Sequence, residues 1–292
     1  MTQIDIIVPI YNAFEDAVRC VESVRRHSSE ECRIVLIDDC SPDQRIAGLF
    51  TELAAEADER IVLLRNPSNL GFVGTANRGM ALGKHDVVLL NSDTIVTARW
   101  AEKLRRCAGS DRTIGTITPF SNNAEICSFP LFCQNNSLDG VDIEAVNQAM
   151  EAAAAPVYPD IPTAVGFCMY IRRELLDRIG LFDAETFGLG YGEENDFCMR
   201  ALKAGYRNVL CEDTFVAHVG SRSFSEKTEA LKAKNSQLLF AKHPEYLGLV
   251  QQFIAQDPLA TLRARVRDRL DKQTQRPAWL ASMMRLLSRR GP

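Results

Sequence analysis

Ile4-Asp-Ile-Ile-Val-Pro-Ile-Tyr-Asn12 is apolar at every position from 4 to 10 except Asp5, and it is rich in β-branched residues. That is the pattern of a strand covered on both faces, as in a parallel sheet. Downstream, Ala17, Val18, Val21 and Val24 recur at helical spacing, and Arg33-Ile-Val-Leu-Ile-Asp-Asp39 reads as a second strand running into the turn residues Ser41-Pro-Asp43. A helix with Leu49, Leu53 and Ala54, a strand at 61–65, a helix start at Gly71 and a strand in Asp86-Val-Val-Leu-Leu-Asn-Ser-Asp93 continue the alternation. Such alternation predicts an α/β domain with right-handed crossovers. In open sheets of this kind ligands sit beyond the carboxyl ends of the strands. Tyr11, Asn12, Asp38, Asp39, Asn91 and Asp93 all fall there.

From about residue 114 the pattern changes. Irregular sequence rich in Asn, Ser and Pro (121–138) precedes an Ala-rich helix over 142–155, a strand over 163–172 and a helix over 173–180. The loop Phe187-Gly-Leu-Gly-Tyr-Gly192 then runs into an acidic helix opening on Glu193-Glu-Asn-Asp196, followed by a strand at 207–211 and the segment 216–224. Glycines 188, 190 and 192 give that loop freedom to close over a ligand, or simply to turn.

At 292 residues, 46% hydrophobic and 25% charged, the chain suits one large or two small domains, and collagen, coiled coil and wholesale disorder are excluded. No apolar run is long enough to span a bilayer, and the N-terminus reads as a strand rather than a signal peptide. Nine cysteines without a C-x-x-C pair read as reduced core residues of a cytosolic protein. The net charge of −4 divides unevenly: residues 259–292 carry nine Lys/Arg against Asp268 and Asp271, leaving an acidic body that gives no reason to expect nucleic-acid binding. In this tail Leu259, Leu262, Val266 and Leu270 form one apolar face, and Trp279, Leu280, Met283, Met284, Leu286 and Leu287 form another. Basic amphipathic helices of this type either lie on anionic membranes or pack on a domain or subunit.

The first strand–helix turn lacks the G-x-G-x-x-G that a dinucleotide pyrophosphate needs, and no Walker A loop is present. Tyr11 and Asn12 instead offer a ring and an amide suited to stacking on and hydrogen-bonding a base. Asp39 either caps the turn at Ser41-Pro42 or accepts from a base or ribose. Asp93 is either a strand-end cap or a ligand for Mg²⁺ or Mn²⁺, hard cations that bridge a carboxylate to substrate phosphates.

Val8-Pro-Ile-Tyr-Asn12, Asp38-Asp-Cys-Ser-Pro-Asp43, Asn69-Leu-Gly-Phe-Val-Gly-Thr-Ala-Asn-Arg-Gly79, Leu89-Leu-Asn-Ser-Asp93, Gly190-Tyr-Gly-Glu-Glu-Asn-Asp-Phe-Cys-Met-Arg200 and His218-Val-Gly-Ser-Arg-Ser-Phe224 stand in this order. Over roughly residues 3 to 250 they resemble the successive motifs of family 2 glycosyltransferases, most of all the bacterial rhamnosyltransferase-like, O-antigen and cell-wall glycan branch. The resemblance implies a GT-A fold: a Rossmann-like, mostly parallel sheet flanked by helices, here with a C-terminal helical tail. It implies inverting transfer from a nucleotide-diphosphate sugar, with UDP- or dTDP-sugars expected, to a hydroxyl of a glycan or lipid-linked saccharide, assisted by Mn²⁺ or Mg²⁺. A cytoplasmic location follows, peripheral at the inner membrane face if residues 259–292 touch lipid.

Carried onto this chain, the resemblance gives Pro9, Tyr11, Asn12 and Asp39 to the nucleobase and ribose, and adds Asn69, Asn77 and Asn91 to the nucleotide site. Asp93 matches the last carboxylate of the family's D-x-D motif and would bind the metal with His218. Asn91 stands where many members have the first aspartate, so one charge is missing beside the diphosphate. Just beyond His218, Ser221, Arg222 and Ser223 offer donors for phosphate oxygens, with a solvated loop residue as the other reading of Arg222. Glu194 is the implied general base and Glu193 the residue that orients the acceptor. Asp196 belongs to the same catalytic motif, although its spacing to Arg200 predicts an intrahelical ion pair. The implied division is a donor half at 1–118, an acceptor and base half at 119–253, and a basic tail at 254–292. Two other classes compete: a sugar- or nucleotide-binding protein that has lost catalysis, which the Asn91 exchange favours, and a nucleotidyltransferase, which would open with a glycine-rich phosphate loop that is missing here.

Overall fold

A computed structural model describes residues 4–220 and 226–274. The strands β1 (Ile4–Ile10), β2 (Cys32–Asp38), β3 (Ile61–Arg65) and β4 (Asp86–Leu90) alternate with α1 (Phe14–His27), α2 (Gln44–Ala55) and α3 (Gly71–Met80), as the apolar runs predict. After β4 come β5 (Thr94–Val96), α4 (Trp100–Ser110), β6 (Ile114–Phe120), α5 (Ile143–Ala153), β7 (Cys168–Ile171) and α6 (Arg173–Ile179). The short α7 (Ala184–Phe187), α8 (Glu193–Lys203), β8 (Arg207–His218), α9 (Glu226–Lys242), α10 (Tyr246–Gln256) and α11 (Ala260–Thr274) follow. Local chemistry sets several starts: Asp43 caps α2 through the Arg45 N–H, and Asp142 caps α5 through the N–H groups of Glu144 and Ala145.

Among the described residues the eight strands form one sheet in the order β3-β2-β1-β4-β7-β6-β8-β5. The first four are parallel, β6 and β8 pair in parallel, and β7 and β5 run against their neighbours. Alternate residues of β1 face opposite layers: Ile6 and Val8 join a core with α1, α4 and α5, while Ile7 joins one with α3, α6 and α8.

Two strands differ from their sequence reading. The run 163–172 is strand only over Cys168–Ile171, because the N–H groups of Ala164 and Val165 bond to Cys198 Sγ and Thr118 Oγ1 instead of a ladder. β8, expected over 207–211, continues to His218, and the register slips where Pro119 faces Cys211 but Phe120 faces Phe215. This bulge accommodates Glu212 and Asp213, whose carboxylates bond to the N–H groups of Ala155 and Val157 and to Arg106.

The tail resolves in part. Leu259, Leu262 and Val266 are buried in the core and α11 packs on α5, so this apolar face is covered by the body of the protein and is not a membrane-facing surface. The second apolar face, Trp279 to Leu287, lies outside the described residues, as do Ser221, Arg222 and Ser223. Among the described residues no helix is long and apolar enough to cross a membrane.

Candidate active site

A cavity of about 620 Å³ opens at the carboxyl ends of β1, β2 and β4. Pro9, Tyr11, Asp39, Asn69, Asn91 and Asp93 line it, together with Phe72, Thr75 and Leu189. Tyr11 is 47% exposed, a ring free to stack. Asp39 is held still: its Oδ1 accepts from Asn66 Nδ2 at 2.7 Å and from the Leu70 N–H at 2.8 Å. Asn66 in turn donates to Thr75 Oγ1. Turn capping falls to Asp38, whose Oδ1 accepts from the Ser41 N–H at 2.8 Å. Asn69 Oδ1 accepts from the Gly71 N–H and opens α3. Only glycine fits at 71, with φ of 70°, because a Cβ there would lie 2.9 Å from the Leu189 Cα.

Two expected nucleotide contacts sit elsewhere. Asn12 does not line the cavity; its Oδ1 accepts from the Asp43 N–H and its own N–H donates to Ser41, tying the first two strand–helix turns together. Asn77 spends both ends of its amide on the Phe182 backbone, donating to the carbonyl at 2.9 Å and accepting from the N–H at 3.0 Å. It is a brace for α3.

Asp93 and His218 lie 125 positions apart in sequence and meet because β5 pairs with the end of β8, Thr94 opposite His218. His218 Nε2 is 3.4 Å from Asp93 Oδ1, its Nδ1 is 2.8 Å from the Asn123 carbonyl, and its ring stacks on Phe167 at 5.2 Å. Burial works against protonation of His218, but the Asp93 carboxylate and the Asn123 carbonyl more than offset it and raise the pKa. In the neutral ring the Asn123 bond holds the proton on Nδ1, leaving Nε2 a lone pair beside Asp93. Among the described residues no group of three or more His, Cys, Asp and Glu converges. One carboxylate and one imidazole still fit a hard divalent ion that takes its remaining ligands from phosphates and water.

A second cavity of about 550 Å³ adjoins the first, sharing Phe72, Asn91 and Leu189 with it. Glu193, Glu194 and Asn195 line it from the start of α8, His218 and Glu125 from the other side of the sequence, and Lys232, Ser236 and Leu239 from α9. Glu193 is 4% exposed, and the Oε2 atoms of Glu193 and Glu194 are both buried without a hydrogen-bond partner. Burial pushes Glu194 up to about 7, and Glu125 adds to the rise. Glu193 is pushed well above the usual carboxylate range by burial and by its neighbour Glu194.

Asp196 is no part of this wall. It is fully buried and accepts from Arg200, Lys242 and His243, each at 2.8 Å. Burial opposes its ionisation, but these three partners hold its pKa below the usual value. It joins α9 to α8, a structural role that removes it from the catalytic set. Asn235, on the same helix, donates to the carbonyls of Phe187 at 3.0 Å and Gly190 at 2.7 Å, so the glycine-rich loop is clamped from behind. Sequence reading missed Asn66, Glu125, Lys232 and Asn235. Only spacing on α9, with 232, 235, 236 and 239 on one face, could have signalled part of that set.

The glycosyl transferase family 2 profile matches residues 5–180, which ends before Glu193. Glycosyltransferase GlyG of Streptococcus pneumoniae serotype 4 is 29% identical over 102 residues, 35% of this chain and 33% of its own length, so the match spans about a third of that relative. Among solved structures, GalNAc-T7 with UDP, GalNAc and Mn²⁺ superposes with a TM-score of 0.63 at 17% identity, over 92% of this chain and 54% of its own. Mannosyltransferase PcManGT from Pyrobaculum calidifontis, with GDP-Man and Mn²⁺, gives 0.59 at 16% identity over 98% and 79%. With the profile covering more than half the chain and the mostly parallel sheet matching GT-A structures, the chain belongs to glycosyl transferase family 2.

Proposed function

We propose that the chain transfers a sugar, with inversion, from a nucleotide-diphosphate donor to a hydroxyl of a glycan or lipid-linked saccharide. One observation carries the reading: two cavities meet at Asn91, with Asp93 in the wall of the first facing His218 in the wall of the second, and the raised pair Glu193 and Glu194 also in the second. The nucleotide occupies the first, with its base over Tyr11 and its ribose near Asp39, and the acceptor occupies the second. Cavity walls drawn mainly from 9–93 and mainly from 125–239 support a donor half at 1–118 and an acceptor half at 119–253.

Asp93 and His218 are the residues to hold Mn²⁺ or Mg²⁺, which when bound neutralises charge on the departing diphosphate. Asn91 lies where the cavities join and has its amide available for a ribose hydroxyl or phosphate. Glu194 takes the acceptor hydroxyl's proton as that oxygen attacks the anomeric carbon from the face opposite the diphosphate, and a pKa near 7 suits a general base at neutral pH. Glu193 orients the acceptor. The nucleotide is UDP or dTDP, and the bacterial rhamnosyltransferase-like, cell-envelope branch accounts best for the motifs. Nine free thiols, seven of them buried, favour a cytoplasmic setting.

Calorimetric titration with UDP, dTDP and GDP, each with Mn²⁺ and with EDTA, tests the donor site. Metal-dependent binding of one nucleotide, weakened at least about tenfold by Asp93→Ala, is expected. Absence of binding to all three by the folded protein would sink the transferase reading in favour of an inactive homologue.

A further inference from the structure

The second cavity carries more carboxyl groups than a general base requires. Besides Glu193 and Glu194, Glu125 lines it from the short 3-10 turn Glu125–Cys127 after β6, held in a left-handed backbone with φ of 47°. The exposed Glu125 side chain makes no hydrogen bond or ion pair among the described residues, and Glu193, almost wholly buried in the wall of the same cavity, has an Oε2 with no hydrogen-bond partner there. The cations nearby are engaged: Lys232 Nζ is 3.2 Å from Glu229 and 5.1 Å from the Tyr191 ring centre, and His218 faces Asp93. Among the described residues the wall therefore offers carboxyl oxygens that no protein donor occupies.

We propose that this chamber selects its acceptor by charge, with Glu125 as the residue that reads it: a sugar unit presenting hydroxyl or ammonium groups is taken, and one carrying a carboxylate beside the reacting hydroxyl is refused. The inference rests on the transferase reading and names the acceptor class for it. Hydroxyls donate to the bare carboxyl oxygens, and an ammonium does so with charge assistance. A carboxylate meets like charge, the arrangement that rejects wrong partners most strongly. It acts a second time on Glu194, since a further anion nearby keeps the base protonated and idle.

The test uses the purified full chain with Mn²⁺ and UDP-, dTDP- and GDP-sugars, following nucleoside diphosphate release. Acceptors are methyl glucoside, galactoside and mannoside, each with its 2-amino and its uronic acid counterpart. Within any series that is used, the hexoside and aminohexoside should exceed the uronide in kcat/KM by at least about tenfold. Glu125→Gln should shrink that gap to about threefold or less, through the acceptor KM, and Glu125→Asp, which keeps the charge, should restore it. A uronide as good as its hexoside, or a gap unchanged in Glu125→Gln, overturns the inference and leaves the transferase reading standing. No release from any sugar nucleotide, with or without acceptor, overturns both.

Discussion

Replacing Glu194 by Gln should make the folded protein more stable at alkaline pH while removing its activity. Burial raises the Glu194 pKa from an ordinary 4.5 to about 7. Below pH 4.5 the carboxyl is protonated in both folded and unfolded chains and costs nothing extra. As pH rises towards and through 7, the unfolded chain ionises freely while the folded one resists, so the stability present in acid is progressively lost. At about 1.4 kcal/mol per pKa unit, the rise corresponds to roughly 3 kcal/mol lost by pH 9. A neutral amide of the same shape avoids that loss and also relieves Glu193 of a neighbouring charge. With about 2–4 °C of Tm per kcal/mol at this chain length, Glu194→Gln should melt about 6 °C or more above wild type at pH 9 and close to it at pH 4.5. Thermal unfolding of both proteins across that range is the assay. In parallel, transfer should fall by about 10²–10⁴-fold, with nucleotide affinity unchanged. A Tm difference that does not grow with pH, or a variant less stable than wild type at pH 9, would refute the reasoning, because Glu194 would then ionise without penalty and lack the environment of a tuned base.

Other expectations follow from single contacts. Asp196→Ala removes the buried carboxylate that Arg200, Lys242 and His243 share, although Lys242 keeps Asp183 and Arg200 keeps two backbone carbonyls, and should cost about 3–5 kcal/mol in urea unfolding, with acceptor binding impaired as α9 loosens. Asn235→Ala removes both bonds to the glycine-rich loop; about 1–3 kcal/mol of stability should go and the acceptor KM should rise, which steady-state kinetics would detect. Gly79→Ala would bring a Cβ within 2.4 Å of Ile7 Cγ2, a branched methyl with nowhere to turn, and should destabilise by about 1–3 kcal/mol without changing nucleotide affinity.

The first four strands were legible because their apolar runs are continuous and their turns carry the polar groups. The middle of the chain resisted for stated reasons. β6 includes Gly115 and Pro119, which argue against a central strand, yet Pro119 sits where the β6–β8 register breaks and its missing N–H does least harm. In α4, Trp100, Leu104, Cys107 and Ala108 recur at helical spacing. Its charged residues suggest a solvated helix, but Lys103 is 1% exposed, with Nζ on Asn147 at 2.7 Å, Glu151 at 2.9 Å and the Asp213 carbonyl at 2.9 Å. α9 shows no apolar stripe because its inward face carries Lys232 and Ser236 to a polar cavity and Asn235 to the carbonyls of the glycine-rich loop. In the site, local motifs placed Tyr11, Asp39, Asp93, Glu193 and Glu194 on the cavity walls. They misplaced Asn12, Asn77 and Asp196, whose side chains are consumed by backbone and ion-pair partners that no local spacing announces.

The position of β5 bears on how the chain is made. Residues 94–96 follow β4 immediately in sequence, yet their partner in the sheet is the end of β8 at 216–218. A growing chain can assemble β1 to β4 early, but Asp93 stays without His218 until more than a hundred further residues have been synthesised. A ribosome-bound chain halted at residue 200 should therefore present the walls at the ends of β1, β2 and β4 without the Asp93–His218 pair, and the edge of its half-built sheet would lie open to other strands until synthesis passes His218.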